Sequence, residues 1–321
     1  MTCYPFKLQG VTKSPIWGGT RLINDWNKTT ACGTVGESWE LTVRRDAVST
    51  VVNGEYAGQT LGELLLRYPD EIMGRSSYTN GEFPLLIKLI DAADRLSVQV
   101  HPDDAYAARV ENDRGKTEMW YIVEADPDAE IVCGLVDGVT AKDYARAVAA
   151  GDYESLLKRV PVQAGDCYFI PAGLTHAIGK GILIAEIQQN CDLTYRVYDY
   201  DRRGADGSPR ELHTEKALEV IRPFSAEEIE AIRYANAQPS DKEVLADCRY
   251  FRTEIAEMNG ATRELSASAR MRHLLCIGGS LTLTYSGGEM SIGKGDSVLL
   301  PAALSASVLN GNGTVLLTTA Y

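Results

Sequence analysis

The chain contains only four histidines, at positions 101, 176, 213 and 273, so the placement of each is informative. His101 closes the run Leu96-Ser97-Val98-Gln99-Val100-His101-Pro102. Read as a strand, whose side chains alternate between faces, this run puts Gln99 and His101 on one face and Leu96, Val98 and Val100 on the other. Lys116-Thr117-Glu118-Met119-Trp120 follows, and by the same rule Lys116 and Glu118 share a face. His176 stands just past the turn Pro171-Ala172-Gly173. Two imidazoles, one carboxylate and an amide oxygen converging inside a barrel would make a mixed nitrogen and oxygen site. That donor set suits Zn2+ and also accommodates Mn2+, Fe2+ or Co2+. Each residue has a plainer alternative. A single His is commonly a satisfied polar residue, Lys116 and Arg196 could be solvated strand cations, and Asp192 could only cap a turn after Asn190.

Strands must position these groups. Alternation of apolar and polar residues marks 37–43, 96–101, 118–123, 182–188, 194–200, 274–285 and 314–319, punctuated by Gly, Pro, Asn and Asp, as in a sandwich or barrel. Helical patterns cover 60–68 and 140–159, the second starting at Thr140 as N-cap with Asp143 at the third helical position. A further helical stretch, 214–221 and 225–233, is interrupted by Pro223. It ends a first unit, 1–234, and 235–241 reads as the linker to a second unit, 235–321.

The two units share a repeat. Gly165-Asp166, a run to Ile170, then Pro171-Ala172 aligns with Gly295-Asp296, a run to Leu300, then Pro301-Ala302. The same β-fold therefore occurs twice. Ala306 stands where the first copy has His176, so any chemistry of His176 is lost from the second.

Composition limits the rest. In 321 residues, 45% hydrophobic and 24% charged, with 44 acidic and 32 basic side chains and a net charge of −12, a full core can form without staples. Broad nucleic-acid or anionic-membrane binding is not expected of such an acidic surface. No apolar run reaches the length of a membrane span, and the N-terminus lacks the pattern of a signal peptide. The seven cysteines form no CxxC pair, so neither a disulfide framework nor a cysteine zinc site is indicated, and a reduced cytoplasm is the expected compartment.

The element Gly165-Asp166 to Pro171-x-Gly173-x-x-His176 resembles the second metal-binding motif of cupins, and Gln99-x-His101 with Glu118 resembles the first. The strings LSVQVHPD (96–103), GKTEMWY (115–121), PAGLTHA (171–177) and QQNCDLTYRVYDYD (188–201) are similar, in order, to type I mannose-6-phosphate isomerases of the short bacterial form. So are Trp17-Gly18-Gly19 and Gly36-Glu37-Ser38-Trp39. The resemblance runs from about residue 5 to about residue 225.

It implies a mainly β protein of two cupin (jelly-roll) units with short helical insertions, and one Zn2+ per chain held by Gln99, His101, Glu118 and His176. It also implies isomerisation of mannose 6-phosphate and fructose 6-phosphate through a cis-enediol. Lys116 is the expected base at C2. Arg196, the family's usual catalytic arginine, would stabilise the enediolate or the phosphate, and Asp192 would relay protons or hold Arg196. The sequence does not name the phosphate-binding residues: Lys88, Lys116, Arg196 and Arg202 are the candidate cations, and only Lys116 and Arg196 have support from the resemblance. The expected partner is a small sugar phosphate, with no nucleic acid or membrane, and the expected state is a monomer or homodimer. The second unit is expected to pack on the first and close a wall of the site. Three rivals remain: another cupin isomerase, for example on glucose 6-phosphate, a non-catalytic sugar-phosphate-binding protein, and a metal oxygenase. Gly288-x-x-x-x-Gly293-Lys294 nearly matches a phosphate-binding loop, but its strand–turn–strand context and Gly295 in place of Ser or Thr exclude it. Trp39 and Trp120 read as core, Trp17 as core or pocket mouth, and His213 and His273 as structural.

Overall fold

A computed structural model of the chain describes residues 1–74, 82–204, 207–234 and 243–321. The architecture is mainly β, with 43% strand and 16% helix. A seven-stranded sheet forms the middle layer. From the second strand onward it runs Cys167–Ile170, Glu118–Ala125, Ile182–Gln189, Leu85–Ala92, Glu37–Leu41 and Val11–Lys13. Its strands carry apolar side chains on both faces, as expected for a layer covered on both sides. Trp120, Ile122, Ile182 and Ile184 meet Ile131, Cys133 and Ile178 of a five-stranded sheet, ordered Leu157–Pro161, Glu130–Leu135, His176–Ile178, Val98–Val100, Tyr195–Tyr198. Met119, Tyr121, Leu183, Ala185 and Ile187, of opposite parity, pack on Phe251, Ile255, Leu275, Leu299 and Leu316 of an eight-stranded sheet.

The eight-stranded sheet is built mainly from the C-terminal segment. Its long strands Phe251–Leu265, Arg272–Tyr285 and Ser307–Ala320 shift register at 259–262 and 276–278, where Gly260 and Gly279 take positive φ. Such irregularities bend a sheet, and this one encloses an interior of Met258, Leu274, Cys276, Leu283, Val298 and Leu317. The strand Phe6–Gln9 pairs with Ser297–Leu300, so the two ends of the chain share this sheet. The expected linker, 235–241, lies outside the described residues.

The sequence repeat corresponds to one turn used twice. Gly165 and Gly295 have φ of 93° and 87°, a left-handed conformation that glycine adopts without strain. Asp166 and Asp296 each accept from a backbone N–H three residues earlier, Gln163 N at 3.0 Å and Gly293 N at 2.8 Å. Each turn then feeds a strand that ends at the shared Pro-Ala. In the first copy the rim continues into the site, with Gly173 N donating to His101 O at 2.9 Å. In the second, the helix Pro69–Met73 covers the rim, and Ala302 N and Ala303 N donate to Ile72 O and Glu71 O, each at 2.9 Å.

The helices follow their capping signals. Thr60 and Glu63 form a capping box at Leu61–Arg67, and Thr140 and Asp143 another at Ala141–Ala149. The second helix stops well short of the expected 159. Gly151 takes φ 81°, Asp152 then closes a turn by accepting from Ser155 N at 3.0 Å, and Leu157–Pro161 is a strand. Pro223 separates the helices Thr214–Val220 and Ala226–Ile232.

Candidate metal centre and active site

In the five-stranded sheet His176 lies directly opposite Gln99, and Gln99 opposite Arg196, so one row across three strands carries all three. Directly opposed residues face the same side, here the side toward Glu118. His101 follows the Val98–Val100 strand. Val98 and Val100 are fully buried on the other side, as alternation requires.

One ligand atom from each of His101, Glu118 and His176 lies within 4.8 Å of the others, and all three residues are buried. His176 Nε2 is 3.1 Å from His101 Nε2, 3.6 Å from Glu118 Oε1 and 3.3 Å from the Gln99 amide nitrogen. His101 Nε2 is 3.6 Å from Glu118 Oε2. His176 Nδ1 lies 2.8 Å from Leu174 O. A carbonyl only accepts, so the proton sits on Nδ1 and Nε2 presents its lone pair inward, a usual arrangement for an imidazole ligand. Burial lowers the pKa of both imidazoles, His176 to about 4, and Lys116 pushes in the same direction. Both are therefore neutral at pH 7, the form that binds metals.

The residues fit a divalent cation. Both oxygens of Glu118 are buried without a hydrogen-bond partner, a costly state for a carboxylate. Burial and Glu186 push its pKa up while Lys116 and Lys88 oppose them. Four carboxylates, those of Glu37, Glu118, Glu186 and Asp192, surround two ammonium groups, those of Lys88 and Lys116.

Above the cluster lies a cavity of about 310 Å³ lined by Gln99, Lys116, Asp192, Arg196, Lys88 and Trp17, among others. Its volume is at the low end for small-molecule sites. Lys116 Nζ is 3.4 Å from Glu118 Oε2, so the two share a face as the spacing requires. Arg196 donates to Ser97 Oγ at 3.3 Å and Glu211 O at 2.8 Å, and no carboxylate among the described residues pairs with it. Burial and the nearby Arg210 lower its pKa. Asp192 does not hold Arg196. Its carboxylate is 3.8 Å from Lys88 Nζ, whereas the Arg196 side chain bonds Ser97 Oγ and the carbonyl of Glu211. Arg202 does not line the cavity, being bound to Asp199 at 2.6 Å. Trp17 is both core and cavity wall. The backbone N–H of His213 donates to Arg196 O at 2.7 Å and its Nδ1 accepts from Arg196 N at 3.3 Å, while buried His273 bonds Ser297 Oγ at 2.7 Å. A larger cavity of about 790 Å³ opens beside Arg44, Arg114 and Asn190, and none of the seven candidate residues lines it.

Residues 5–132 match the catalytic domain of type I phosphomannose isomerases, and residues 241–319 match the cupin domain of mannose-6-phosphate isomerases. The chain is 36% identical to the mannose-6-phosphate isomerase of Streptococcus mutans, over 96% of each chain. It is 38% identical to the mannose-6-phosphate isomerase ManA of Bacillus subtilis, over 97% of each. The chain belongs to the type I mannose-6-phosphate isomerase family. A crystal structure of the mannose 6-phosphate isomerase from Bacillus subtilis has the same fold, with a TM-score of 0.86 at 34% identity, covering 98% of this chain and 99% of that one. The cupin architecture expected from the sequence is that of this isomerase family.

Sequence reasoning passed over Glu186 and Glu37 as participants in this site and took Lys88 only as a candidate cation for the phosphate. Lys88 Nζ is 3.2 Å from Glu186 and 3.6 Å from Glu37, and Trp120 Nε1 donates to Glu186 Oε2 at 3.0 Å. The signal was present: Lys88 and Glu186 are charges in the mainly apolar runs LLIKLIDA and ILIAEIQQ, and they are direct cross-strand partners. Among the described residues no helix is long and apolar enough to cross a membrane.

Proposed function

We propose that the chain interconverts mannose 6-phosphate and fructose 6-phosphate with one zinc ion held by His101, Glu118 and His176, with Gln99 as fourth donor or as substrate anchor. The observation that carries this reading is the triad of inward lone pairs directly beneath a cavity floored by Gln99 and Lys116. When bound, the metal supplies a Lewis acid that polarises the sugar oxygens next to the reacting carbons. The chain's own residues do the rest. Lys116 Nζ, at the cavity floor, is the group placed to take the C2 proton of the open-chain sugar and return it at C1. The Arg196 guanidinium, with no carboxylate partner among the described residues, stabilises the negative oxygen of the enediolate or the phosphate. The Lys88, Glu37 and Glu186 group, which borders the same cavity, fixes the charge pattern of its wall, and Asp192 at the rim is placed to exchange protons with sugar hydroxyls. The seven cysteines are all free, which fits a reducing cytoplasm.

A proton NMR time course with mannose 6-phosphate, run on zinc-replete and on chelator-treated protein, tests this. Conversion to fructose 6-phosphate in the zinc-replete sample alone is expected. No conversion with zinc bound would remove the substrate assignment, and equal conversion in both samples would remove the metal from the chemistry.

A further inference from the structure

We infer that the C-terminal unit positions Lys116 through a clamp centred on Asp104. The inference rests on the reading of Lys116 as the proton-transfer residue. Asp104 is the first residue of the helix Asp104–Val110, in the insertion between the ligands His101 and Glu118. Its Oδ1 accepts from Gly115 N at 3.0 Å and from Gln189 Nε2 at 2.9 Å. Its Oδ2 accepts from Tyr250 OH and from the Arg249 guanidinium, each at 2.7 Å. Arg249 and Tyr250 form the turn between Val244–Asp247 and Phe251–Leu265, and the Arg249 guanidinium also donates to Tyr250 OH. One carboxylate thus receives two bonds from the segment that carries the site and two from the other end of the chain.

The bonds converge on the residues flanking Lys116. Gly115 is held from before it by Asp104. Thr117 N, just after it, donates to Gln189 Oε1 at 2.9 Å, and Gln189 N returns a bond to Thr117 O at 3.1 Å. Lys116 N donates to Pro102 O at 3.1 Å. A Cβ on Gly115 would lie 2.5 Å from Asp104 N, so the segment is seated against the start of the helix with no room for a side chain. Three consecutive backbone N–H groups are therefore fixed, and the Asp104–Gln189 pair joins them to Tyr250. Although burial acts to raise the Asp104 pKa, the donors from Tyr250, Gln189 and Gly115 bring it below its ordinary value, so the acceptor stays ionised at neutral pH. The C-terminal unit then has a part in catalysis: its 249–250 turn keeps Lys116 aimed into the cavity.

The test is a double-mutant cycle on the zinc-loaded full chain, reading kcat, KM and metal per chain. Asp104→Ala is expected to lower kcat about tenfold to a hundredfold, the scale of a catalytic group displaced by about 1 Å, with KM and zinc content unchanged. In a Lys116→Met background the same change should cost less than about twofold, because nothing remains to be aimed. Tyr250→Phe keeps the ring, removes one donor and should give a smaller kcat loss of the same kind, which covers the case of Asp104→Ala failing to fold. Costs that simply multiply, beside a strong effect of Lys116→Met alone, would overturn the clamp and leave the isomerase reading intact. Should Lys116→Met alone leave kcat unchanged, the role of Lys116 falls and the clamp with it.

Discussion

Replacing Lys88 by methionine isolates the buried charge beside the His101, Glu118 and His176 group. Lys88 and Glu186 are each 3% exposed and 3.2 Å apart. Burial opposes the charge on Lys88, but Glu186, Glu37 and Asp192 outweigh it and raise its pKa. Burial likewise opposes the charge on Glu186, and Lys88 and Lys116 hold its pKa below the ordinary value. Removing one partner of such a pair costs about 3–5 kcal/mol, because the other charge is left without compensation. Both residues border the cavity, which admits water, so the low end applies, about 3 kcal/mol. At about 2 °C per kcal/mol for a chain of this size, the melting temperature of Lys88→Met should fall by roughly 6 °C at pH 7.5. Glu186→Gln added to Lys88→Met removes the orphan charge and keeps an acceptor for Trp120 Nε1, so the double variant should recover at least half of that loss. The penalty of the single variant should also shrink toward pH 5, where Glu186 can take a proton. Thermal unfolding followed by circular dichroism reads all three. A fall below about 2 °C for Lys88→Met, or a double variant less stable than the single, would refute the assignment of Lys88 as the counter-charge of Glu186.

Two further outcomes follow from the second repeat. His273 is buried and neutral, its pKa lowered to about 3 by burial and by Lys28. The unfolded chain protonates this group near pH 6.5 and the folded chain does not, so stability should be lost as pH falls below 6.5, by about 1.4 kcal/mol per unit from this residue until about pH 3. His273→Gln should flatten the melting-temperature profile between pH 6.5 and 5 relative to the parent, and an unchanged slope would contradict the buried neutral state. Gly165 and Gly295 share a positive φ, but a Cβ at 165 meets open space while one at 295 would lie 2.8 Å from Trp26 O. Gly165→Ala should cost about 1–2 kcal/mol from backbone conformation alone, and Gly295→Ala measurably more. Denaturant titration of the two variants would show equal losses if the contact with Trp26 were absent.

Much of the site was legible because strand parity and turn chemistry are local. Gln99 and His101, then Lys116 and Glu118, share faces as a period of two requires, and the Gly165-Asp166 turn signals the strand before His176. The buried charges behind the site were not read, because strands covered on both faces lose alternation and look like continuous apolar runs. A Lys or Glu within such a run is the surviving signal, and Lys88 with Glu186 is an instance of it. The overrun of the 140–149 helix came from following composition past Gly151, whose left-handed conformation ends it. Pairing of Phe6–Gln9 with Ser297–Leu300 is long-range and leaves no local pattern. The same holds for the contact of Tyr250 with Asp104.

The central claim, that His101, Glu118 and His176 hold the catalytic metal, is tested most directly by an anomalous-difference map at the zinc absorption edge from crystals of the zinc-loaded chain. The account predicts one full-occupancy peak within bonding distance of His101 Nε2, His176 Nε2 and a Glu118 oxygen, and none in the C-terminal unit. A loaded chain with its peak elsewhere, or with no peak among these three side chains, would contradict it.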